Sequence, residues 1–141
     1  MTLQRFFRCD RRRRGASRRC GETGSVSIQM VLLLPVLFAV MFLGMQAALF
    51  YHARTVAIAA AEEGARAAGA RGGTVASGTK AAGDFVATAG GDGVLKAASA
   101  TGSRTPTTAT VTVTGQAMSV IPGWTLTITQ SATLPVERLT T

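Results

Sequence analysis

Few residues of this chain are equipped for chemistry. Its 141 residues hold one histidine, His52, and two cysteines, Cys9 and Cys20. A zinc site draws its ligands from close pairs of Cys and His, and these three residues do not make one. Past His52 the acids are Glu62, Glu63, Asp84, Asp92 and Glu137, and no cysteine accompanies them. No nucleophile–base pair and no metal-ligand spacing emerges from that set. The nearest approach to a cofactor motif is Gly73–Lys80, GTVASGTK. A phosphate-binding loop needs Lys before Ser or Thr and a strand ahead of the loop, and both are missing. The stretch reads as a glycine-rich linker entering a helix. The expectation is a protein that is not an enzyme, with no catalytic, cofactor-binding or metal site and no small-molecule substrate.

The arginines carry a clearer signal. Residues 1–24 hold eight Arg against Asp10 and Glu22, whereas residues 52–141 hold seven basic against five acidic residues. The overall charge of +8 therefore belongs mostly to the leader. Three readings fit Arg11, Arg12, Arg13, Arg14, Arg18 and Arg19. They can hold a short flank on the cytoplasmic side of a membrane, attract anionic lipid headgroups, or bind nucleic acid. The long apolar stretch next to them selects the first, so no nucleic-acid partner is expected. The leader, 1–24, has no apolar periodicity and is expected to be disordered.

From Thr23 to Ala53 no residue carries a fixed charge, and Val26–Phe50 is mostly Val, Leu, Met, Phe and Ala. As a helix that stretch rises about 37 Å, enough to cross the apolar core of a bilayer with some tilt. A signal-peptide core is shorter, and the chain offers too little other apolar mass to bury such a helix. The segment 25–51 reads as a transmembrane helix, with Pro35 introducing a slight kink or none. Tyr51 and His52 sit where interfacial anchors belong. Orientation follows from the arginines: N-terminus cytoplasmic, C-terminal domain exterior, in a single-pass protein of the cell membrane.

The helix is expected to continue outside, over 52–73. HARTVAIAAAEEGARAAGA is rich in alanine, the best helix former. Glu62 and Arg66 have the favourable i, i+4 order, Gly64 permits a bend, and Gly69, Gly72 and Gly73 supply the stop. Residues 74–141 form a small exported domain. In it, 74–100 reads as one or two short helices broken at Gly90–Gly93, and 101–106 as a linker. Then the period becomes two. Ala109, Val111 and Val113 share one face. Trp124, Leu126, Ile128, Ala132 and Leu134 share another, with Trp124 expected in the core. Pro122-Gly123 marks a turn. The fold class is α+β: a long N-terminal helix, short helices, and a two-stranded antiparallel element whose apolar face packs on helix or on a partner. With no cysteine, this domain has no disulfide framework.

The order of these features resembles the TadE-like family, minor pilin-like subunits of tight-adherence (Flp-type) pilus systems. The resemblance rests on the Arg-rich leader, the GSVSIQ entry, the proline in LLLPVLF, AAAEEGARAAG beyond it, and LPVER at Leu134–Arg138. It implies a membrane subunit that helps build a pilus or related secretion apparatus, with other pilin-like subunits and pilus secretion machinery as partners. It also implies, in some members, leader removal by a prepilin peptidase. Gly24 and Ser25 match the family's cleavage point. At the fifth position after Gly24 the family usually has Glu, used in assembly against a neighbour's new N-terminus, and this chain has Gln29. A different class of function also fits the residues: a membrane-anchored or secreted binding protein unrelated to pili.

Overall fold

The structure, a computed structural model, describes residues 22–138, with side chains from Ser27 onward. The leader arginines and both cysteines lie outside the described residues. The chain divides into two units, residues 1–37 and 38–141.

Helix α1 spans Glu22–Gly69, and its assignment runs unbroken through Pro35. In the first unit, Ile28, Val31, Leu32, Leu33, Leu34 and Leu37 are all exposed. The second unit is the head. There α1 buries Ala53, Val56, Ala57, Ala60, Ala61, Ala65 and Ala68. Their spacing of three and four residues makes one helical stripe. The stripe is almost all alanine, so whatever packs on it comes close to the backbone.

What packs on it is the second unit's own sheet and second helix. Helix α2, Val75–Thr88, starts at a capping box. The Ser77 N–H donates to Thr74 Oγ1 at 3.0 Å, and the Thr74 N–H donates to Ser77 Oγ at 2.9 Å. Two donors that the first turn would leave orphaned are satisfied reciprocally. The residues of the near phosphate-loop thus have a structural use: Thr74 and Ser77 form this cap, and Lys80 pairs with Asp84 on the helix surface.

Beyond α2 come three strands: β1 Leu95–Arg104, β2 Thr108–Ala117 and β3 Leu126–Pro135. They form an antiparallel sheet in the order β1-β2-β3. The two strands expected from sequence are therefore three. The expected helices of 74–100 reduce to α2 and a 3₁₀ turn at Gly91–Gly93, and most of the expected linker 101–106 belongs to β1. Strand β1 pairs Ser99–Arg104 with Thr114–Ala109, with a bulge between Lys96 and Ser99. Ala97 in that bulge has φ +48°, the left-handed region that non-glycine residues seldom occupy.

The alternation in β2 and β3 appears as written. Ala109, Val111, Val113 and Ala117 are buried, and Ile128 joins them from β3. Leu95, Val111 and Val113 are the largest fully buried side chains; each stabilises the head by about 1.5–3 kcal/mol. The opposite face is a lattice of hydroxyls. Thr110 meets Thr133 at 2.8 Å, Thr112 donates to Ser131 at 3.1 Å, and Thr114 meets Thr129 at 3.3 Å. Trp124 departs from expectation. It is 46% exposed, because β3 begins at Leu126 and the period-two count does not extend back through the turn before it.

Candidate functional site

Among the segments that carry the family resemblance, the apolar run, the EEGAR segment and the LPVER tail each have a distinct place. Within the second unit, α1 first exposes a row of large apolar side chains: Phe38, Val40, Met41, Phe42, Leu43 and Met45. The row ends abruptly at Gln46, which is only 4% exposed. Its cover is the loop between β2 and β3, residues 118–125. The Val120 N–H donates to Gln46 Oε1 at 2.9 Å, and Ser119 Oγ donates to the same oxygen at 3.2 Å. The backbone N–H of Val120 fixes which way the amide faces, since the flipped amide would set an NH₂ against an N–H. Nε2 is buried and has no partner among the described residues. A polar group left in that state costs about 1–3 kcal/mol. The sequence analysis does not single out Gln46. Its partner is 74 residues away, and no local pattern signals that.

Gly64, at the centre of EEGAR, lies where α1, α2 and β2 converge. A Cβ there would lie 2.8 Å from the Gly78 carbonyl oxygen and 2.9 Å from Val111 Cγ1. A Cβ on Gly78 would lie 2.7 Å from the Gly64 carbonyl oxygen and 2.7 Å from Ala68 Cβ. The two glycines let the helices cross backbone to backbone, and the helix continues past Gly64 to Gly69. The expected pair of Glu62 and Arg66 is not formed; Arg66 pairs with Glu63 instead. Both partners are largely exposed, so either choice contributes little.

The LPVER tail closes the end of α1. The Glu137 N–H donates to the Gly69 carbonyl at 2.9 Å, and the Arg71 N–H donates to the Glu137 carboxylate at 3.2 Å. Arg104 Nε donates to the Ala68 carbonyl at 2.8 Å, and Arg138 donates twice to the Pro106 carbonyl, at 3.0 and 2.6 Å. The Glu137, Arg104 and Arg138 donors meet carbonyls that the last turn of α1 and the β1–β2 hairpin leave open.

The remaining sequence candidates do not come together. Gly24 and Ser25 lie within α1. Gln29 is exposed, as are Tyr51 and His52. Glu62 and Asp92 are exposed on separate elements. Among the described residues no group of three or more His, Cys, Asp or Glu side chains is placed to hold a metal ion. A cleft of about 330 Å³ lies between α2 and β1, lined mainly by Ala82, Val86, Ala98, Ala100 and Val113, with Asp92 as its one charged residue.

Among the described residues one helix is long and apolar enough to cross a membrane, and none of its most apolar window is buried inside the protein. A core helix of a soluble domain would be covered there. Residues 24–66 match the family model described as TadE-like protein. This part of the chain is similar to that family. The match covers the apolar run and EEGAR, ends at Arg66, and leaves α2 and the sheet outside it. No curated protein and no solved structure matches the chain.

Proposed function

We propose that the protein is a non-enzymatic, single-pass membrane subunit that takes part in assembling a Tad-type pilus or a related secretion apparatus. The observation that carries this reading is the overlap of the TadE-like match with an apolar helical stretch that the fold leaves uncovered. In the proposed topology the arginine-rich leader stays in the cytoplasm and the head stands on the other side, on an alanine-faced helix. The lipid-facing part of α1 runs from about Ile28 to Met45, which rises about 27 Å and suits a bilayer core of roughly 30 Å.

Two measurements test this. A reporter active only outside the cytoplasm, fused after Thr141, is expected to be active; activity of a cytosolic reporter at that point would refute the orientation. Cross-linking in the native host followed by purification is expected to recover a secretion ATPase or polytopic pilus proteins. Recovery of neither would overturn the pilus role.

Processing is a further part of the proposal. Cleavage after Gly24 by a prepilin-type peptidase would start the mature chain at Ser25 and remove all eight leader arginines and both cysteines. The mature protein should then show no thiol labelling and an intact mass beginning at Ser25, and Gly24→Leu should block both changes. An intact mass that retains Cys9 and Cys20 would refute processing and identify a permanently anchored assembly factor. After cleavage, Gln29 could hydrogen-bond a neighbour's new ammonium. It could not neutralise that ammonium in hydrocarbon, where an unpaired charge is costly.

A further inference from the structure

We propose that the β2–β3 loop is a second membrane contact, seated in the headgroup and ester layer of the bilayer with Trp124 and Val120 as its inserted side chains. The proposal rests on the membrane reading of α1 and adds a site that the TadE-like match does not reach.

Position comes first. The loop is tied to α1 at Gln46 by the Val120 N–H and Ser119 Oγ, immediately after the last exposed apolar residue of the row, Met45. It therefore lies between the end of that row and the exposed Tyr51 and His52, which sit where interfacial anchors belong. Composition comes second. Val120, Pro122 and Trp124 are exposed, and no residue from Gly115 to Val136 carries a charge. An uncharged loop with an exposed indole at this level suits the interface, where the ring is buried and its N–H still finds a polar partner. Rigidity comes third. The Trp124 N–H donates to the Ile121 carbonyl at 3.2 Å, and Gly123 has φ +79°, as a type II turn with Pro122 ahead of it requires. Ser119 Oγ also accepts from the Ile121 N–H at 3.2 Å. The loop is held in shape before lipid arrives, so insertion orders little new chain.

Trp124 is the only tryptophan, so the full chain in phosphatidylcholine vesicles reports on the loop directly. Its emission is expected to be blue-shifted, strongly quenched by lipids brominated high on the acyl chain, and weakly quenched by aqueous iodide. Phe42→Trp in a Trp124→Phe background supplies the reference, and lipids brominated deep in the chain should quench it. If that reference is quenched but Trp124 responds only to iodide, the loop proposal fails and the membrane span stands. If Trp124 is shielded from both quenchers, protein rather than lipid covers the loop, and the proposal fails again. If the reference itself escapes brominated lipid, the membrane reading falls and the loop proposal falls with it.

Discussion

Ile128→Asp is expected to destabilise the head by about 3 kcal/mol or more, because it places an unpaired carboxylate where the sheet faces α1. Ile128 is 3% exposed and belongs to the core cluster with Val111, Val113 and the alanines of α1. Arg104 and Arg138 are engaged with carbonyls, and Lys80 and Arg66 are on outer helix surfaces. Thr127→Asp serves as the control. Thr127 is exposed, and there the change should stay within about 1 kcal/mol, the span of strand propensities. The urea midpoint of the full chain in detergent micelles reads both. Equal midpoints for the two variants would mean that β3 buries the other face or none.

The contrast between those neighbours was legible in the sequence, because alternation of β-branched and polar residues is a local signal. So was the end of α1 at its glycines. Strand β1 was not legible. LKAASATGSR holds no Val or Ile, and its alanines favour helix. It is a strand because β2 offers it a ladder and α2 lies close over it. Gly102 shows how close: a Cβ there would come within 3.2 Å of Val75. Small residues in β1 therefore serve tertiary packing, which overrides local propensity. Trp124 was misread for the opposite reason, a local period continued past the end of its strand. The candidate site divided along the same line. The apolar run was plain from composition. The tie from Gln46 to the β2–β3 loop and the closure of α1 by Glu137 join residues far apart in sequence, where periodicity has nothing to say.

Distance in sequence also hides why EEGAR contains a glycine. Gly78→Ala is expected to lower the stability of the head by about 1–3 kcal/mol, the usual cost of an extra methyl in a filled space. The new Cβ would meet Ala68 Cβ and the backbone oxygen of Gly64, neither of which is the free end of a flexible side chain. Gly83→Ala, five residues on in the same helix, should act in the opposite direction. No atom lies within 4 Å of a Cβ at Gly83, so the variant should gain the helix preference of alanine, about 0.5–1 kcal/mol. Intrinsic propensity predicts that both variants stabilise; the crossing of α1 and α2 predicts opposite signs. Gly64→Ala should behave as Gly78→Ala does, reduced by the same helix gain. The double variant should cost less than the two singles together, because helices already parted by one methyl leave room for the second. Measured midpoints that rise for Gly64→Ala and Gly78→Ala would show that the helices do not approach this closely. EEGAR would then mark a bend or a partner's footprint rather than the place where α1 and α2 cross.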